Sequence, residues 1–108
     1  MKIIAFFDLR NETDPREFLE WVKNEQARVF EKQFHEIKNF RDYRITSLDG
    51  RIDLPQMVQI FDYEGSADDW RKTLKYFLNT DNKELSKIIR QWHKFCDDST
   101  TKIIYAED

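Results

Sequence analysis

Two carboxylates stand where an apolar surface should continue. Asp8 interrupts the face of residues 2–9 that carries Ile4 and Phe6, near the end of an apolar run. Glu25 falls beside the apolar stripe Phe18, Val22 and Val29 a little further along the chain. On a helical wheel at about 100° per residue, Trp21, Glu25, Gln26 and Gln33 lie within about 60–70° of that stripe. A carboxylate enclosed without a partner is costly in its charged form, so its pKa rises. A carboxyl tuned in this way serves as a general acid or base. Asp8 and Glu25 are therefore the candidate catalytic residues. For each a plainer placement stays open: Glu25 at a wet helix edge, Asp8 in solvent at a strand end or paired with Arg10.

Large side chains supply candidate walls for a substrate pocket: Trp21, Tyr43, Gln59, Trp70 and Trp92. Tyr63 and Tyr105 join Tyr43 and Gln59 on predicted strands, with core packing or a subunit interface as their other roles. His35 falls on the polar side of its helix and His93 borders an apolar stripe, so the two histidines lack the paired spacing of a metal site. Cys96 is the only cysteine, which rules out an internal disulfide or a thiolate zinc cluster, and it reads as an inert buried thiol. There is no G-x-S-x-G motif and no glycine-rich phosphate loop, and two glycines in all give little material for one. No cofactor and no metal are expected.

These side chains have to be positioned by a chain of 108 residues, the length of one domain spanning 1–108. Hydrophobic residues make up 40% and charged residues 36%, a globular rather than a disordered composition. Nine phenylalanines, four tyrosines and three tryptophans provide bulk for a core without disulfides. Eighteen basic against 21 acidic residues leave a net charge of −3 with no basic block, which argues against a nucleic-acid partner. The first apolar run stops at Asp8, too short for a signal-peptide core or a membrane span, so a cytoplasmic setting is expected.

Residues 2–9 read as a strand that is apolar on both faces, Ile3, Ala5, Phe7 and Leu9 against Ile4, Phe6 and Asp8. Asp14-Pro15-Arg16-Glu17 opens a helix that is expected to run to about Phe34. Residues 42–48 alternate as a strand before the Asp49-Gly50 turn, and residues 56–63 form another, again apolar on both sides. Ser66-Ala67-Asp68-Asp69 is a capping-box start for a second helix with the stripe Trp70, Leu74, Phe77 and Leu78. Residues 79–82 interrupt it. Asp81-x-x-Glu84 restarts it with Leu85, Ile88, Ile89, Trp92, Phe95 and Cys96. Residues 97–100 break the helix, and residues 102–106 form a last strand. The order β-α-β-β-α-β predicts an α+β, ferredoxin-like plait with both helices on one face of a four-stranded sheet. The apolar residues on the other face need a cover, and a second copy of the chain is the simplest one, giving a face-to-face homodimer.

That layout resembles the dimeric α+β barrel superfamily and, within it, the RedY-like (HapK-type) family. The resemblance rests on Phe7-Asp8-Leu9 at the end of the first strand and Phe18-Leu19-Glu20-Trp21 in the first helix. Phe40-Arg41-Asp42-Tyr43-Arg44 stands where the family has its second strand, and Trp92-His93-Lys94-Phe95-Cys96-Asp97-Asp98 forms the junction into the last one. It implies a role in secondary-metabolite biosynthesis of the pyrrole-pigment type, with cyclisation or dehydration as the proposed chemistry. The chain departs from the family in one stretch: Asn24-Glu25-Gln26-Ala27-Arg28 replaces a small-polar-D-L-P segment. In branches resembling EthD proteins a histidine occupies the place of Glu25. Branches that degrade haem use an Asn near the place of Asp8 together with a later histidine that this chain lacks, so haem chemistry is disfavoured.

The expectation is a small-molecule-binding protein, or a cofactor-free cyclase-, dehydratase- or monooxygenase-like enzyme, acting on an aromatic or pyrrole-like intermediate. A non-catalytic ligand-binding or assembly protein of the same fold is the alternative.

Overall fold

The computed structural model describes residues 1–107. Alternation along the first apolar run becomes strand β1 (Lys2–Leu9), with Ile3, Ala5, Phe7 and Leu9 buried and Ile4, Phe6 and Asp8 half-buried on the reverse side. Asp14 caps the helix that follows, its side chain accepting from the Arg16 N–H at 2.9 Å while Pro15 takes the first helical position. This helix has three parts: α1 (Pro15–Trp21), a π-helical turn (Val22–Gln26) and α2 (Ala27–Gln33). In the wide turn the Ala27 N–H reaches back five residues to the Val22 carbonyl. The extra residue rotates everything beyond it, so Gln26, Val29 and Phe30 face inward and Glu25 is left half-buried.

Strand β2 (Ile37–Arg44) begins and ends earlier than the expected 42–48. Asn39, at φ 56°, sits in a bulge that puts Ile37 and Phe40 on the same buried side at a spacing of three. Strand β3 (Met57–Tyr63) buries alternate residues from Met57 to Tyr63. Ser66 and Asp69 form the reciprocal capping box of α3 (Ala67–Asn79). The restart of α4 (Lys83–Phe95) is capped by Asn82, one residue after the expected Asp81. Strand β4 (Cys96–Ala106) follows α4 directly, so the polar run 97–100 is strand rather than loop.

The sheet order is β2-β3-β1-β4 with every neighbouring pair antiparallel, the α+β ferredoxin-like plait. All helices pack on the side bearing Phe7. Two aromatic groups anchor them there. Phe7 meets Phe18 at 5.6 Å and Trp92 at 4.6 Å between ring centroids, with Trp21 and Phe95 behind. At the other end Phe30 contacts Phe40 at 5.3 Å and Phe77 at 4.8 Å, and Phe40 stacks on Phe61. The reverse side of the sheet carries Ile4, Phe6, Val58 and Ile60, all partly exposed, with Tyr43 and Ile104 about half exposed beside them. No helix among the described residues is long and apolar enough to cross a membrane.

Candidate functional site

Strand register builds the floor of a cavity. Asp42 stands opposite Gln59, Gln59 opposite Ala5, and Ala5 opposite Ile103, so one row crosses the whole sheet on its helix-covered side. Ala5 is the one small side chain at the centre of that row. Above its methyl the helices leave a cavity of about 330 Å³, at the small end of the range for ligand pockets. Phe61 and Trp70 close it toward β3, Phe30 and Phe77 toward the second aromatic group, and Ile88, Ile89 and Trp92 from α4.

The polar groups lie at two ends. At one end are Gln26 and Gln59, only 4% and 5% exposed. Gln59 Nε2 donates to Gln26 Oε1 at 2.9 Å and to Asp42 Oδ2 at 3.2 Å. Asp42 Oδ1 is enclosed and has no hydrogen-bond partner. Burial pushes the Asp42 carboxyl up to about 7, against the opposing pull of the Gln59 hydrogen bond. At the other end His93 Nε2 lies 2.5 Å from Asp98 Oδ2, and the Trp92 indole N–H donates to Asp98 Oδ1 at 3.0 Å. His93, Asp98 and Thr101 all border the cavity, and Thr101 Oγ1 is enclosed without a partner. A mostly apolar space with hydrogen-bonding groups at both ends can hold a flat organic molecule and fix its direction.

The sequence-derived residues divide between this cavity and other places. Gln59, Trp70 and Trp92 line it. Trp21 is buried outside it, its indole N–H donating to Gln91 Oε1 at 2.9 Å. Tyr43 is 51% exposed on the reverse side of the sheet, opposite Val58. Asp8 also faces that side. Its Oδ1 accepts from the Gln56 N–H at 2.9 Å, while Arg10 donates instead to the His93 carbonyl at 2.6 Å. Glu25 is half-buried and does not line the cavity. Burial holds the Cys96 thiol far above its ordinary value, as suits an unreactive side chain. Among the described residues no three His, Cys, Asp or Glu side chains converge to hold a metal ion.

Asp42, Asp98 and Thr101 were not singled out from the sequence. The signal for Asp42 is its place in the row opposite Gln59, which appears only once the strands are paired. Gln26 lay near the buried stripe on the helical wheel, and the π turn is what brings it inward in preference to Glu25.

Comparison with solved structures agrees with the topology. At3g17210 of Arabidopsis thaliana superposes with a TM-score of 0.70 at 12% identity, covering 99% of this chain and 94% of its own. A dimeric protein of unknown function and ferredoxin-like fold from Bacteroides fragilis gives 0.58 at 14% identity, covering 98% and 94%. An EthD-family protein of Bacillus halodurans gives 0.54 at 18% identity, covering 99% and 96%. At such identities the likeness shows the fold alone. No curated protein matches the chain in sequence. The family model described as REDY-like protein HapK matches residues 1–107, as the resemblance read from the sequence implied, and the chain belongs to that family.

Proposed function

We propose that this protein binds a flat aromatic or pyrrole-like intermediate of secondary metabolism in the cavity above Ala5. The observation that carries this is the cavity itself, apolar through its middle and bordered by buried Gln26 and Gln59. The two glutamines bond each other and leave one amide atom apiece without a protein partner among the described residues, which fits a ligand that supplies it. Trp70 and Trp92 are its aromatic walls.

A catalytic form of this function is a cofactor-free proton transfer, cyclisation or dehydration. It draws support from Asp42, whose carboxyl changes charge near neutrality and is joined to the cavity through Gln59. Asp8 and Glu25, outside the cavity, are not needed for it. A purely ligand-binding role uses the same walls and differs only in turnover.

The working unit is a homodimer formed through the reverse side of the sheet. Its support is the apolar row Ile4, Phe6, Val58, Ile60 and Ile104, together with the dimeric state of the Bacteroides fragilis relative in fold.

Calorimetric titration with aromatic heterocycles tests the cavity. Saturable one-to-one binding is expected, and Ala5→Leu, which fills the floor, should abolish it while the far-ultraviolet circular dichroism stays unchanged. Equal binding by Ala5→Leu would place the ligand elsewhere.

A further inference from the structure

Gln59 Nε2 stands between two oxygens, Gln26 Oε1 at 2.9 Å and Asp42 Oδ2 at 3.2 Å. Only an amide nitrogen has two hydrogens to meet both. Turning the amide over would set Gln59 Oε1 against an Asp42 oxygen that, when ionised, can only accept, so the Asp42 carboxylate locks the orientation. The consequence is a fixed pattern on the cavity wall. Gln59 Oε1 is left as an acceptor and Gln26 Nε2 as a donor, with neither bonded to another protein group among the described residues. Both residues are almost wholly shielded from bulk water.

We infer that this glutamine pair recognises a ligand edge carrying an N–H beside a carbonyl oxygen, as in a lactam, with Asp42 as the positioning residue that sets the polarity of the pair. The ligand N–H donates to Gln59 Oε1, and the ligand carbonyl accepts from Gln26 Nε2. A ligand seated on the pair covers both atoms, and a probe lacking either group leaves one of them covered without a partner. The inference rests on the cavity proposed above and adds the chemistry of the group at its buried end.

Three probes of nearly one shape separate the possibilities in calorimetry: oxindole, N-methyloxindole and the carbocyclic ketone in which the oxindole N–H is replaced by CH₂. Oxindole should bind about tenfold or more tightly than the other two, although both are the more apolar compounds. In Asp42→Leu the Gln59 amide is free to turn, and the preference should vanish while affinity for N-methyloxindole holds. Asp42→Asn offers Gln59 a carbonyl or an amide N–H alike and should weaken the preference as Asp42→Leu does. Equal affinities for all three probes in the wild-type protein overturn the lactam inference and leave the cavity standing. Binding of none overturns both. A preference that survives in Asp42→Leu overturns the role given to Asp42. If Asp42→Leu fails to fold, the wild-type probe series still decides the matter of the ligand edge, and Asp42→Ala takes its place for the orientation.

Discussion

Phe6 and Phe7 are neighbours in sequence, and the sheet sends them to opposite environments. Phe7 is fully buried, held by Phe18 and Trp92. Phe6 remains partly exposed among Ile4, Val58 and Ile60 on the reverse side. The covered side is packed at both ends and left open in the middle, where a short side chain and two glutamines replace bulk. The reverse side is apolar along its two inner strands and edged by Arg41 opposite Ile60 and Lys102 opposite Phe6. A cavity on one side and an apolar centre on the other match the two tasks proposed above, ligand contact and association, carried by alternate residues of the same strands.

The sharpest way to separate them is to truncate each phenylalanine. Phe7→Ala removes a ring from a closed aromatic group and should cost about 3–5 kcal/mol of stability, whatever the protein concentration. Phe6→Ala should cost far less in the isolated subunit. In a homodimer its effect should instead depend on concentration, because association and folding are linked. Chemical denaturation of both variants at two protein concentrations checks the contrast. Equal, concentration-independent losses would erase it.

A charge on the reverse side probes association directly. Ile60 lies on β3, an inner strand, at the centre of the apolar row. Ile60→Lys should shift sedimentation from a dimer to a single subunit of 13.2 kDa while leaving ligand binding in the cavity within about twofold. A wild-type protein that sediments as that single subunit at micromolar concentration would remove the dimer altogether.

The distinction between the two sides was legible early because β1 and β3 alternate cleanly, and alternation alone assigns each residue to a side. The helix starts were equally plain, since Asp14-Pro15 and Ser66-x-x-Asp69 are local capping signals. What sequence periodicity missed are the places where the period breaks. The bulge at Asn39 spaces Ile37 and Phe40 as on a helix and hides the first half of β2. The π turn exchanges Glu25 for Gln26. Asp42 was invisible as a site residue for a different reason: its enclosure depends on Gln59, seventeen positions away. Family resemblance located the fold and left these substitutions of detail untouched.

Asp42 gives the covered side a pH dependence that reaches to neutrality. Its folded value of about 7 lies above the ordinary 3.8, so the folded state holds this proton more tightly than the unfolded chain. The associated stability is therefore fully present below pH 3.8 and is lost as pH rises to about 7 and beyond. Asp42→Asn removes the group that titrates. Relative to wild type, the variant should gain stability as pH is raised from 4 to 8, by an amount on the order of 3–4 kcal/mol, and the gain should level off above that. Thermal melts across this range measure the difference. A constant offset would mean that the carboxyl titrates alike in both states.

The smallest expected effect falls on Asp8, the carboxylate most conspicuous in the sequence. Its partner is the Gln56 N–H, and the Gln56 side chain in turn accepts from the Leu9 N–H at 2.9 Å. Together these bonds clamp the connection entering β3 to the end of β1. Asp8→Asn keeps an acceptor oxygen and loses only the charge, so it should lower stability by about 0.5–1 kcal/mol. Ligand affinity in the cavity should stay within about twofold, since Asp8 lies across the sheet from it. A large loss of binding or turnover in Asp8→Asn, with the melting temperature nearly unchanged, would mean that the reverse side of the sheet takes part in the chemistry. The division of labour between the two sides would then be wrong.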